Sequence, residues 1–182
     1  MYTIYLAISF REVPMKKMVL SILVDNTAGV VTRVSGLFSR RGYNIDSLTG
    51  SITEDPTYSR ITVVVNGDDQ ILEQIRNQLL KLEDVREVRE LLPDESVCRE
   101  LVLVKVAADV KDRQAIIAVA DIFRAKIVDV AVDSLMIELT GNKNKINAFL
   151  NLLEGFTIKE LVRTGITGLT RGAGDVAEYL DD

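Results

Sequence analysis

The sequence predicts an α+β protein built from two successive βαββαβ units. Three observations carry that prediction. The chain has 182 residues, which fits two small domains of roughly 100 residues each. Its apolar runs and amphipathic stretches come in the order strand, helix, strand, strand, helix, strand, and then repeat that order. Between the two passes stands the turn-rich segment Pro93-Asp94-Glu95-Ser96, which reads as a linker.

The first pass opens on Met18–Val24, a short apolar, β-branched run that suits a buried strand. Over Gly29–Arg41, Val30, Val34, Leu37 and Phe38 fall on one face of a helix, and Gly42 is placed to stop it. Tyr43–Ile52 and Arg60–Asn66 read as two strands joined through Thr53-Glu54-Asp55-Pro56. Asp68 or Asp69 then caps a helix carrying Ile71, Leu72, Ile75, Leu79 and Leu82, and Val85–Leu91 closes the unit. In the second pass Glu100–Ala107 is a strand, and Lys111–Arg124 is a helix with Ile116, Val119, Ala120 and Phe123 inward. Lys126–Ala131 and Leu135–Thr140 pair around Val132-Asp133-Ser134. Gly141-Asn142 leads into a helix bearing Ile146, Phe149, Leu150 and Leu153, and Thr157–Thr164 is the last strand.

Each unit makes a four-stranded antiparallel sheet with both helices on one face, the ferredoxin-like arrangement. The implied organisation is a flexible extension over 1–15, a first domain over 16–92, a linker over 93–98, a second domain over 99–172 and a tail over 173–182. Thr62-Val63-Val64-Val65 is apolar at adjacent positions and therefore on both sheet faces. The face without helices is expected to be covered by pairing between subunits, which makes the chain a homodimer. Gly165–Gly172, glycine-rich, reads equally as a docking strand or an untethered terminus.

Composition removes several function classes. Net charge is −5, the wrong sign for neutralising phosphates, so no nucleic-acid partner is expected. No histidine is present, which removes the usual general base near neutral pH and the Ser-His and Cys-His nucleophile pairs. The single Cys98 forms no internal disulfide and reads as packing. The carboxylates Glu83-Asp84, Asp94-Glu95, Asp175, Glu178, Asp181 and Asp182 read as solvated, and no metal cage is expected. Met1–Phe10 has no basic n-region and is too short to span a bilayer, so no membrane association is expected and the chain is placed in the cytoplasm. No catalytic constellation emerges.

The chemistry of interest lies where the first strand meets the first helix, at Asp25-Asn26-Thr27-Ala28-Gly29. Asn26 and Thr27 can cap the helix, and Gly29 lets backbone approach a ligand closely. The head of a helix carries unpartnered N–H groups and seats a small anion such as a carboxylate. The Asn26 side-chain carbonyl can accept from an ammonium, and Val30 and Val31 can meet a short aliphatic side chain. The same residues suit an ordinary capped helix start, and local chemistry alone favours that reading because capped helices are far commoner than ligand sites.

The stretch from Val24 through Val34, with Gly36-Leu37-Phe38-Ser39-Arg40-Arg41-Gly42-Tyr43-Asn44-Ile45-Asp46-Ser47-Leu48, resembles an ACT domain. More narrowly it is similar to the small regulatory subunits of acetolactate synthase. Asp55–Arg60, Leu72–Ile75, Gln78-Leu79, Lys81-Leu82, Arg99–Val106, Ile122–Arg124, Asp129-Val130 and Arg163–Gly172 fit the same family in order. The resemblance implies a non-catalytic homodimer with two ACT sheets side by side. It implies valine, or another branched-chain amino acid, at the dimer interface, between Asn26, Thr27, Ala28, Gly29, Val30 and Val31 of one chain and Asn44 and Ile45 of the other. It further implies activation and feedback inhibition of a large catalytic subunit, which would hold the thiamine diphosphate, magnesium and FAD; this chain would hold no cofactor. The competing expectation is a stand-alone ACT-type transcription regulator responding to amino acids, though no basic recognition helix is legible.

Overall fold

The computed structural model describes residues 16–173; the expected extension over 1–15 and the tail from 174 onward lie outside the described residues. The first unit runs β1 (Lys16–Asp25), α1 (Val30–Arg40), β2 (Ile45–Ile52), β3 (Tyr58–Gly67), α2 (Asp69–Leu79) and β4 (Val85–Glu90). The second runs β5 (Ser96–Ala107), α3 (Arg113–Phe123), β6 (Lys126–Val130), β7 (Ser134–Gly141), α4 (Lys143–Leu153) and β8 (Ile158–Arg163), followed by β9 (Thr167–Thr170). The sheet orders are β2-β3-β1-β4 and β6-β7-β5-β8, antiparallel throughout, with β9 added on β5. The two ferredoxin-like units are therefore present.

Each unit has its own core between sheet and helices. In the first, Leu20, Ile22 and Val24 of β1 and Ile61, Val63 and Val65 of β3 meet Val34, Leu37 and Phe38 of α1 and Leu72, Ile75 and Leu79 of α2. In the second, Val102, Val104 and Val106 meet Ile116, Ala120, Ile146 and Phe149. Phe123 packs edge-on against Phe149 at 5.5 Å between ring centres. Each fully buried large side chain contributes about 1.5–3 kcal/mol of burial, and along β5, where buried and half-buried positions alternate, that burial fixes register as well as stability. Asp68 caps α2 by accepting from the Ile71 amide at 2.7 Å, and Asn142 caps α4 by accepting from Lys145 at 2.9 Å.

One expectation is corrected at the junction and one open alternative is decided, for a docking strand. β5 opens at Ser96, inside the 93–98 segment read as linker, and Gly165–Gly172 is no untethered terminus. Both follow from one pairing, since Thr167–Thr170 runs antiparallel to Ser96–Arg99. Neither segment has a strand-like apolar pattern of its own, and the backbone partner lies some 70 residues away, where local periodicity cannot see it.

This pairing also changes what covers the first sheet. The segment leading into β9 starts on β2, where the Thr49 hydroxyl donates to the Thr164 carbonyl at 3.0 Å. It ends over β4, where Arg89 donates to the Thr170 hydroxyl at 3.0 Å. Beneath it Ser21, Leu23, Thr62 and Val64, on the face away from the helices, are at most 2% exposed. The helix-free face of the first unit is thus closed by the same chain, not by a second subunit as the sequence led one to expect. On the second sheet the corresponding face stays open, with Val162 54% exposed.

Candidate functional site

β1 ends at Asp25, and the chain turns through Asn26, Thr27 and Ala28 into α1. Gly29 sits at the helix N-cap with φ 83°, in the left-handed region that favours glycine. No side chain caps the helix, which corrects the expectation that Asn26 or Thr27 does so. Both side chains are used elsewhere. The Asn26 amide donates to the Pro56 carbonyl at 2.9 Å, and its oxygen accepts from the Ser59 hydroxyl at 3.1 Å. The β2–β3 hairpin thereby fixes which way that amide points. The Thr27 hydroxyl donates to Asp84 at 2.9 Å. Val30 is buried at 5% exposure, whereas Val31 is 48% exposed at the surface beside the turn.

Asp84 departs from its reading as a solvated loop carboxylate. It accepts from Arg33 at Nε and Nη2, the latter at 2.7 Å, as well as from Thr27. The Arg33 guanidinium beside it, followed by the Thr27 hydroxyl, holds its carboxyl below the usual carboxylate range. Arg33 also donates to the Ala28 carbonyl at 3.2 Å and to the Thr27 hydroxyl at 2.9 Å. Two residues on, Arg86 grips Asp25 through two bonds. Sequence reasoning singled out none of Pro56, Ser59, Asp84 or Arg33 as a support of the turn. The stretch Asp55–Arg60 did carry a family signal; a lone Glu83-Asp84 pair before a strand carried none.

Asn44 and Ile45 open β2. Pairing slips there, with Ile45 opposite Val65 and Ser47 opposite Val64, so Asp46 is left over in a bulge. Lys17 donates to Asp46 at 2.9 Å and Asn66 at 2.7 Å, and these donors, Lys17 first, lower its pKa. Asn44 itself is exposed and reaches Asp46 at 3.4 Å. With Lys17, Lys143, Glu100 and Arg163, Asn44 and Ile45 line a cleft of about 710 Å³ between the two units.

The expected site residues fall into two groups that do not meet in one chain. Ile45 pairs with Val65, which pairs with Met18 near the start of β1. The turn follows Asp25 at the other end of that strand, opposite Tyr58. At roughly 3.3 Å per residue, Met18 and Asp25 are about 23 Å apart.

Among the described residues, no group of three or more His, Cys, Asp or Glu could hold a metal, and no helix is long and apolar enough to cross a membrane.

Comparison with known proteins agrees along almost the whole described chain. Residues 20–87 match the family model of the acetohydroxyacid synthase small-subunit-like ACT domain, and residues 99–172 that of the small subunit of acetolactate synthase. A probable acetolactate synthase small subunit from Methanothermobacter thermautotrophicus is 50% identical over 156 residues, 85% of this chain and 93% of that protein. The acetolactate synthase small subunit of Haemophilus influenzae is 46% identical over 87% of this chain and 98% of its own length. The crystal structure of the Thermotoga maritima small subunit superposes with a TM-score of 0.81 at 42% identity, over 87% of this chain and 99% of that one. This chain therefore belongs to the acetolactate synthase small-subunit family, on the regulatory, non-catalytic side of that enzyme.

Proposed function

We propose that the chain is the effector-binding regulatory subunit of an acetolactate synthase, working as a homodimer that activates a large catalytic subunit and confers feedback inhibition by valine. The observation that carries this reading is the separation of the two halves of the site. Asn26–Val31 and Asn44–Ile45 lie at opposite ends of the first sheet, so a ligand touching both must bridge two chains. β2 is an edge strand running in the direction of β1. Two such edges paired antiparallel about a two-fold axis lay the start of one β2 beside the end of the other. That is the end of the sheet where the turn lies.

At the turn, the uncapped head of α1 offers amides and the positive end of the helix dipole to a carboxylate. The Asn26 oxygen, held by Ser59, has a second lone pair for an ammonium, and Val31 supplies apolar surface. A ligand that bridges two chains changes their relative geometry only so far as it binds one arrangement better than the other. Thiamine diphosphate, magnesium and FAD belong in this reading to the catalytic partner.

Complementation between chains tests it. Gly29→Asp damages one wall and Asn44→Ala the other, so each homodimer should lose or weaken valine binding by calorimetry. A mixed dimer rebuilds one intact site, from the wild-type turn of one chain and the wild-type β2 of the other. Valine binding regained on mixing is the expected result. No recovery in verified mixed dimers would place both walls in one chain and overturn the reading.

A further inference from the structure

The structure assigns to Asp84 and Arg33 the positioning of the Thr27-Ala28-Gly29 turn, as a clamp that sets the shape of the effector site without touching the effector. This inference rests on the site reading given above.

An ordinary half-exposed ion pair contributes little, but this pair is tied to the turn on every side. The Asp84 carboxylate takes three donors, two from Arg33 and one from Thr27. Arg33 in turn holds the Ala28 carbonyl and the Thr27 oxygen. The Asp84 backbone carbonyl accepts from the Asp25 amide at 2.8 Å, and Arg86 grips the Asp25 carboxylate. The corner between α2 and β4 thereby brackets both ends of the turn. A Cβ at Gly29 would stand 3.2 Å from Arg33 Nη1, so the guanidinium lies directly beside the residue on which the helix head opens. An Arg released there would be drawn to an incoming carboxylate or fold across the turn. Asp84 fixes its direction and offsets its charge.

The second unit shows the turn without a carboxylate at the position of Asp84; its own Asp109 accepts instead from the Lys111 and Asp112 amides. The Asp25 amide bonds to the Asp84 carbonyl, and the equivalent Ala107 amide bonds to that of Thr157, a residue with no charge. There Arg113 donates to the carbonyls of Ala108, Ala131 and Val132. That turn is stapled to the β6–β7 hairpin.

Asp84→Asn and Arg33→Met are the variants to make, in the full-length protein with its catalytic partner. Hydrogen exchange of the ligand-free chain should show faster exchange over residues 27–32 in both, with the second unit unchanged. Valine dissociation constants should rise about tenfold, while activation of the partner without valine and the melting temperature stay as in the wild type. The double variant should be no worse than either single one, because both break the same clamp. Unchanged exchange over 27–32, or single effects that add, would overturn the clamp. If Asp84→Asn lowers the melting temperature, Thr27→Val removes the two bonds of the Thr27 hydroxyl while leaving the Asp84–Arg33 pair, and should give a smaller rise in exchange over 27–32. If the wild-type protein binds no branched-chain amino acid, the site reading falls, and exchange still decides the clamp.

Discussion

The two units share a topology but treat the same turn in opposite ways. Asp25 and Ala107 are equivalent ends of central strands, and counting forward sets Asn26 beside Ala108, Gly29 beside Lys111 and Asn44 beside Lys126. Neither helix has a side-chain N-cap, but in the first unit a left-handed glycine stands at the head and Arg33 is drawn aside by Asp84. In the second no glycine is present, and Arg113 fills the turn with hydrogen bonds to three carbonyls. Both units even carry a bulge at the start of their second strand. It leaves over Asp46, held by Lys17 and Asn66, in one and Val128, 47% exposed, in the other. A shared fold thus says nothing about which copy would bind an effector; on the proposed function, the residues at one turn would decide it.

The largest test of that contrast sets Gly29→Asp against Lys111→Asp. The first puts a side chain and a negative charge at the helix head and should abolish valine binding and sensitivity. The second should leave both intact by calorimetry, and loss of binding there would make the second turn part of the sensor. Next, Arg113→Ala should destabilise the chain by about 1–3 kcal/mol, because the part-buried bonds to the Ala108 and Ala131 carbonyls are lost. Thermal unfolding would record it, and titration of the variant should still show no additional valine site.

Smaller effects separate the helix ends. The chain passes Gly42 at φ 69° and Arg124 at φ 53°, and in each case the next amide reaches back into the helix, Tyr43 to Phe38 and Ala125 to Ala120. A Cβ at Gly42 would meet nothing within 4 Å, so Gly42→Ala carries only backbone strain, about 1 kcal/mol. Arg124→Gly should relieve similar strain and raise the melting temperature by at most a few degrees. A gain at Gly42 or a loss at Arg124 would show that contacts, not φ, govern these ends. The smallest expected effect concerns pH. Arg33 lowers the Asp84 pKa, so the folded state favours the carboxylate. The clamp is fully present above the ordinary carboxylate value near 3.9 and is lost only as pH falls through the lowered one. Valine affinity should therefore stay level from about pH 8 to about pH 5.

Periodicity made the order of elements legible, because burial repeats with the backbone. Val34, Leu37 and Phe38 announced α1, and the pair Asp68-Asp69 announced the start of α2, where Asp68 takes the cap. Asn26 and Thr27 were visible as turn residues, but their partners Pro56, Ser59 and Asp84 come from distant segments, so their task was not. The same holds for β9, a strand only because Ser96–Arg99 lies opposite. Arg124 gave no hint of its left-handed φ, since arginine marks no such position.

The strap over the first sheet also sets an order of events. A nascent chain presents the whole first unit long before residues 164–170 exist. Until they arrive, Leu23 and Val64 face solvent on a flat, half-finished surface. Synthesis therefore passes through a stage at which the first unit has its helices but not its cover, and self-association through that face is the hazard of the interval. The last described strand to be made is the one that seals the first.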